Sequence, residues 1–310
     1  MEAVIGEAGD ATTIVLRPSR WRAHRAGQFV KVGVEIGGRI LTRTYSISSS
    51  PSRDDGCFTV TVKAQPEGRV SNRIGALRAG DRVRIGLPQG EFVLPNSLPD
   101  QVLFITGGSG ITPVASMLRW MSDLRVMPSV THLHFARTRE DVIFGRELAW
   151  LSLGRPQYAL QVIETRRGGG RLGADLLREK CPDFASRETW ACGPESLLDA
   201  ASSLIASDKV HIERFRAKFA SISDQGTARV QFGRSKKEVD AMSTRPLLEV
   251  AERAGIDAPH GCRIGICHSC DAALVSGCVR DLRTGETIDE PGTRIQPCVC
   301  AAVGAAEIDL

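Results

Sequence analysis

The sequence predicts three successive domains of different class: an antiparallel β-domain, a parallel-sheet α/β domain and a small cysteine-rich domain. Three observations carry this. Apolar residues alternate with a period of two along the first hundred positions. A short apolar strand then runs through clustered glycines into a helix. Most of the nine cysteines fall after residue 260. Length alone, 310 residues, would suggest two domains at about 150 residues each.

The first domain, expected over residues 1–98, reads as short strands. Val30, Val32, Val34 and Ile36 share one face of Gln28–Ile36, with Lys31 and Glu35 on the other. Phe58, Val60 and Val62 repeat the period, as do Val83, Ile85 and Leu87. Gly37-Gly38 and Asp54-Asp55-Gly56 are turn signals. This pattern suits a small β-barrel or sandwich. Arg43-Thr44-Tyr45-Ser46 follows the clearest alternation, and Gly68-Arg69-Val70-Ser71 precedes a short helix expected over Asn72–Leu77. A guanidinium pairs with a pyrophosphate. A tyrosine stacks on an aromatic ring system. A serine at a helix start holds a phosphate. Each run alone is as well explained by ordinary strand and turn residues.

The second domain, expected over residues 99–215, alternates strands and helices. Val102–Ile105, Thr131–Phe135, Tyr158–Ile163, Thr189–Cys192 and Val210–Ile212 read as strands. Helices are expected up to Trp120, near Glu147–Leu151 and over Leu197–Ile205. Thr106-Gly107-Gly108-Ser109-Gly110-Ile111-Thr112-Pro113 joins the first strand to its helix. Its glycines suit close approach to a pyrophosphate, and Pro113 suits a first helical turn. Cys192-Gly193-Pro194 ends a later strand, where a parallel sheet presents its ligand crevice. Arg137 and Arg139 follow the second strand, where an arginine pairs with a 2′-phosphate; solvated surface arginines are the alternative. Arg166–Arg171 reads as a loop and 216–227 as a linker.

The third domain is expected over residues 228–310. Cys262, Cys267 and Cys270 have the spacing C-x4-C-x2-C, and Cys298 follows. This is the plant-type spacing for a [2Fe–2S] cluster. Three thiolates from one loop and a fourth from a distant segment close a cage, and Gly261 and Gly265 let the loop wrap closely. A structural zinc site would pair two shorter C-x2-C units. A Rieske centre would need two histidine ligands at spacings that His260 and His268 do not provide. Cys300 is a possible replacement for Cys298, while Cys57, Cys181 and Cys278 read as small buried residues.

Composition narrows the rest. Apolar residues at 42% and charged residues at 25% are ordinary for globular chains and exclude wholesale disorder. A net charge of +4 and 5% aromatic residues argue against nucleic-acid binding. That charge is uneven: residues 1–225 hold 30 basic and 24 acidic side chains, residues 226–310 hold 10 and 12. The first residues lack the pattern of a secretory leader. No apolar stretch nears the ~20 residues that span a bilayer. The expectation is a cytoplasmic protein without direct membrane insertion, whose cysteines serve metal or redox chemistry.

Taken together, the runs RTYS, GRVS, TGGSGITP, CGP, Glu213-Arg214-Phe215 and GCRIGICHSC … PCVC resemble the ferredoxin–NADP reductase superfamily. The similarity covers essentially the whole chain and points to the subgroup with a C-terminal plant-type ferredoxin domain. It implies a flavin-binding β-barrel, a nicotinamide-binding α/β domain and a β-grasp ferredoxin domain. Pro259–Cys270 and Val279–Glu286 are similar to the reductases of membrane di-iron fatty-acyl desaturases. The resemblance implies that Arg43, Tyr45 and Ser46 hold the flavin, with Ser46 near N5. It implies that Gly68 and Ser71, with Val70 between them, hold a pyrophosphate, favouring FAD over FMN. Thr112 and Cys192 would flank the nicotinamide and Phe215 would stack near the flavin. The expected activity passes electrons from NAD(P)H, with NADPH favoured over NADH, through flavin and [2Fe–2S] to a partner protein. A membrane desaturase or di-iron hydroxylase is the favoured partner; a Rieske-type ring oxygenase or a cytochrome P450 is the alternative. A redox-sensing subunit without NAD(P)H oxidation is the reading from another class.

Overall fold

The computed structural model describes residues 1–220 and 226–310. The chain divides into two compact units, Met1–Arg214 and Phe215–Leu310.

The first unit opens with β1 (Ala3–Gly6), β2 (Ala11–Leu16), β3 (Phe29–Ile36), β4 (Arg39–Ser46), β5 (Phe58–Lys63) and β6 (Arg84–Ile85). They form two antiparallel sheets, β1-β2-β5 and β4-β3-β6, joined by a bridge between Ile47 and Val60. The alternation seen in the sequence is real packing. Val30, Val32 and Val34 meet Ile14, Phe58 and Val60 in one core. Helix α1 (Arg69–Gly75) adds Val70 and Ile74 to that core. It starts three residues before the helix expected over Asn72–Leu77. The strand expected through Leu87 stops at Ile85, and Leu87 is 58% exposed. Pro88 has no N–H to extend the ladder.

The same unit continues with β7 (Gln101–Gly107), α2 (Ile111–Leu124), β8 (Ser129–Ala136), α3 (Gly145–Gly154) and β9 (Tyr158–Glu164). Then come α4 (Ala174–Lys180), β10 (Glu188–Cys192), α5 (Glu195–Leu204) and β11 (Val210–Glu213). The five strands make one parallel sheet in the order β11-β10-β7-β8-β9. Alternate residues supply two cores. Phe104, Val130 and Trp190 pack with α2 on one face, and Leu103, Leu133 and Ala191 pack with α5 on the other. Strand order reverses between β7 and β10, so their carboxyl ends flank an open crevice.

The second unit holds β12 (Thr227–Phe232), β13 (Lys237–Met242), α6 (Leu247–Arg253), β14 (Ala272–Asp281), β15 (Thr287–Ile288), β16 (Arg294–Ile295) and β17 (Cys300–Ile308). The order is β13-β12-β17-β14-β15, with β16 also on β14 and β12 parallel to β17. Helix α6 buries Leu247, Leu248 and Ala251 against Phe232 and Leu274. The ends of the expected linker belong to this unit. Ala217 packs on its core, the Ala220 amide donates to Leu282 O at 2.7 Å, and β12 begins at Thr227. Asp224 and Gln225 lie outside the described residues. Phe215, expected at the end of the α/β domain, falls at the start of the second unit, with 42% of its surface exposed.

Candidate functional site

Three strand ends converge in the first unit. The register of the parallel sheet sets Cys192 beside both Thr106 and Glu213. The Cys192 Sγ lies 3.9 Å from Glu213 Oε2, a long contact. Burial pushes the Glu213 carboxyl up to about 8, while the Ser46 hydroxyl and the Cys192 thiol facing it oppose the shift. Burial, and then the Glu213 charge, push the Cys192 thiol well above the ordinary range. Ser46, at the end of β4, is 5% exposed, and its Oγ has no partner that meets hydrogen-bond geometry. A buried hydroxyl that faces the Glu213 carboxyl without good hydrogen-bond geometry keeps capacity for a ligand. The spot therefore fits a flavin whose ring nitrogens offer that partner. Glu213 appears in the sequence only within a motif run. Its place is legible once β10 and β11 are paired in register.

Tyr45 precedes Ser46 on β4 and packs half-buried against the barrel core. Burial pushes its hydroxyl up to about 12, opposed by the nearby Arg43 charge. The Arg43 guanidinium donates to Thr42 O at 2.8 Å. Ser71 Oγ accepts from the Gln65 amide at 3.2 Å and donates to Gly68 O at 3.0 Å, so it shapes its own turn. The Val70 side chain, 2% exposed, sits in the barrel core. Only its backbone is left to face a ligand.

The glycine turns at the crevice are built for each other. A Cβ on Gly110 would collide with the Cys192 carbonyl, and one on Gly193 would lie 2.9 Å from Gly107 N. Gly107 is closed off by Pro194 Cδ at 2.8 Å. Gly108, at φ +53°, has open space where its side chain would be. The sequence reading assigned Gly107, Gly108 and Gly110 to a pyrophosphate and placed Gly193 at the ligand crevice. Gly107, Gly110 and Gly193 also interlock the turns after β7 and β10, and Gly108 has open space around it. Thr112 Oγ1 donates to Ser109 O at 3.0 Å, and Pro113 lies in the first turn of α2. Thr106 differs from expectation. Its hydroxyl lies 2.7 Å from both His132 Nε2 and His134 Nδ1, and His132 Nδ1 lies 2.8 Å from the Tyr158 hydroxyl. That side chain belongs to a buried polar network rather than to a free ligand surface. We expect Gly110→Ala to destabilise the fold by about 1–3 kcal/mol. It should also slow flavin reduction by NADPH, as read by thermal melts and stopped-flow absorbance.

Arg119 on α2 ties the barrel to the sheet domain. Its Nη1 donates to Ser48 O at 2.5 Å, two residues after Ser46. Its Nε and Nη2 grip both oxygens of Glu147 on α3, at 2.7 and 2.6 Å. The guanidinium also sits 4.4 Å from the Phe144 ring centroid. Ser116, one turn earlier, donates to Ser49 O at 2.6 Å. These bonds set the Ser46 segment against the helix that starts at the nucleotide turn. Arg119→Met should lower stability by about 1–3 kcal/mol. Flavin reduction should slow by about tenfold or more because the reacting groups lose alignment. Rapid-mixing kinetics with flavin content held constant checks this.

Arg137 and Arg139 follow β8 on the surface. Arg137 Nη2 donates to Asp141 Oδ1 at 2.8 Å, and the Arg139 amide donates to Glu164 Oε2 at 3.0 Å. Arg167 of the expected loop reaches Glu164 Oε2 at 3.6 Å.

In the second unit the four thiols fall into two pairs. Cys262 faces Cys267, whose Sγ accepts the Cys262 amide at 3.1 Å. Cys270 faces Cys298. The hydrogen bond from Cys262 lowers the Cys267 thiol, and the one from Cys298 lowers the Cys270 thiol. Among the described residues no group of three or more His, Cys, Asp and Glu side chains could hold a metal ion by itself. Two pairs suit two sulfide-bridged irons, one per pair, better than one tetrahedral ion. The Ile264 and Ile266 amides donate to Cys262 Sγ at 3.4 Å, and the Gly265 amide points at Cys298. Such amides stabilise charged sulfurs. A Cβ on Gly261 would lie 2.7 Å from Cys267 Sγ. Arg283 braces the loop by donating to Gly265 O at 3.2 Å while it pairs with Asp281. Cys300 instead lies in β17, paired with Asp281 and buried in the sheet core.

Comparison with known proteins agrees with this order. The family model described as an oxidoreductase FAD-binding domain matches residues 18–94. The oxidoreductase NAD-binding domain matches 104–203, and the 2Fe-2S iron-sulfur cluster binding domain matches 230–303. An NADPH oxidoreductase of Mycobacterium tuberculosis is 45% identical over 98% of this chain and 82% of that protein. A glycine betaine monooxygenase reductase subunit of Chromohalobacter salexigens is 31% identical over 86% and 81%. The solved phthalate dioxygenase reductase matches at TM-score 0.68 and 25% identity, over 99% of this chain and 97% of that one. The chain takes FAD, NAD(P)H and a [2Fe–2S] cluster, and it belongs to the ferredoxin-reductase-type family of NAD(P)H oxidoreductases that carry their own ferredoxin domain.

Proposed function

We propose that the chain is the reductase component of a two-protein oxygenase system. The observation that carries this reading is the pairing of the four thiols in a chain that also has FAD-binding and NAD-binding domains. An enzyme that only moved hydrides to small molecules would have no use for a one-electron centre. A bound flavin would supply the conversion of a two-electron donor to a one-electron carrier. The residues position and tune. Ser46 completes a hydrogen bond to the flavin, and Glu213, neutral at pH 7 by its raised pKa, holds or passes a proton there. Cys192 and Thr112 bound the nicotinamide slot. Arg43 and Tyr45 hold the flavin, with Gly68 and Ser71 at its pyrophosphate. Gly108 offers backbone to the nucleotide, and Arg137 or Arg139 meets a 2′-phosphate, favouring NADPH. Cys262, Cys267, Cys270 and Cys298 hold the cluster.

Relatives with a stated acceptor support an oxygenase partner, as in the glycine betaine and 3-ketosteroid monooxygenase reductases. The membrane di-iron desaturase favoured from Pro259–Cys270 and Val279–Glu286 becomes the second reading, because relatives with a stated acceptor name oxygenases. We place the reductase in the cytoplasm. No helix among the described residues is long and apolar enough to cross a membrane. Reconstitution separates the two readings. NADPH oxidation coupled to product formation with a purified Rieske-type oxygenase or a P450 supports the first. Coupling only to membranes containing a desaturase supports the second, and coupling to neither overturns both.

A further inference from the structure

The outer face of α3 carries the most exposed large apolar side chains among the described residues, Trp150 at 80% and Leu153 at 86%. With Arg146 they stand at i, i+4 and i+7, so the three form one stripe along the helix. The stripe contains no carboxylate. Glu147 points away and is held by Arg119. At the helix end Arg155 Nη2 lies 3.4 Å from Ser122 Oγ, which brings in the end of α2. There Leu124 is 49% exposed beside Arg125, with Asp123 the one acidic neighbour.

An apolar stripe that carries Arg146 and ends at Arg155 matches the chemistry of a negatively charged lipid surface. A tryptophan and a leucine enter the headgroup boundary, and guanidinium groups meet the phosphates. A second copy of the chain fits less well. Two projecting side chains fall far short of the ~800 Å² per partner that a stable pair buries. We propose that this face docks the reductase reversibly on anionic membranes. The surface lies on the nucleotide domain, and Arg146, Trp150 and Leu153 are not among the residues assigned to electron transfer. It does not depend on which acceptor the chain serves.

The test uses the full-length holoprotein and vesicles of phosphatidylcholine with or without phosphatidylglycerol. The wild type should sediment with the mixed vesicles and much less with pure phosphatidylcholine, and added salt should release it. Trp150→Asp, Leu153→Asp and Arg146→Glu should each lower the bound fraction about tenfold. All three should keep wild-type NADPH oxidation with ferricyanide. Brominated lipid should quench the emission of the wild type and not that of Trp150→Phe, a check that does not depend on the charged variants folding. Sedimentation equal to the vesicle-free control would overturn the proposal. So would binding unchanged in the variants. A wild-type dimer that Leu153→Asp dissociates would show that a second copy occupies the face, which also overturns it.

Discussion

Cys298→Ser is expected to strip iron and labile sulfide from the second unit while the first unit keeps its flavin. Cys300→Ser is expected to keep both. The two residues are separated by one position, and spacing alone hardly distinguishes them. Their surroundings do. Cys298 faces Cys270 and takes an amide from Gly265, whereas Cys300 is a strand residue whose thiol is pushed up to about 11 by burial. Loss of one cluster ligand leaves an iron with an open position and removes the metal's contribution to folding. Outer-shell changes at metal sites already cost roughly 10–100-fold, so delivery to a protein acceptor should fall by about a hundredfold or more. NADPH oxidation with a dye that takes electrons from the flavin should persist. Iron and sulfide analysis, visible absorbance and the two assays read this directly. A Cys300→Ser protein without a cluster would reverse the assignment.

Glu213→Gln should flatten the pH dependence of flavin reduction. The wild-type carboxyl titrates at about 8, so it is protonated at pH 7 and ionises as the solution becomes alkaline. The rate in single-turnover mixing should therefore change through pH 8 in the wild type and stay level in the variant. The variant should also lose about 10–100-fold in rate if the group moves a proton beside the flavin. The effect on stability has the opposite sense from a salt-bridged acid. The folded state favours the neutral carboxyl, so its contribution is fully present in acid and is lost as pH rises from the ordinary carboxylate range to about 8. Wild-type melting temperatures should fall across that window, and Glu213→Gln should fall less. Parallel profiles for the two proteins would remove Glu213 from the account.

The parts of the fold that the sequence shows are those with local causes. The alternation of Val30, Val32 and Val34 marks a half-buried strand because side chains alternate by geometry. The cysteine spacing is informative because three ligands come from one loop. What remained hidden depends on pairing across the chain. Glu213 gains its place from the register of β11 against β10. Arg119 gains its role from a carbonyl 71 residues away. Thr106 sits in a motif that reads as a nucleotide turn, yet two histidines on the next strand capture its hydroxyl. Gly107, Gly110 and Gly193 also pack the two turns against each other, a contact that depends on strands far apart in the chain. Leu87 continues a period of two in sequence, and one proline ends the ladder before it.

One chain carries electrons from NAD(P)H through its flavin to its own iron–sulfur centre. Anaerobic addition of NADPH to the purified holoprotein, followed by absorbance and by electron paramagnetic resonance, is the decisive measurement. The flavin should bleach in both the wild type and Cys298→Ser, and the reduced-cluster signal should then appear in the wild type alone. Flavin bleaching with no cluster signal in the wild type, or no bleaching at all, would show that the electrons do not take this path.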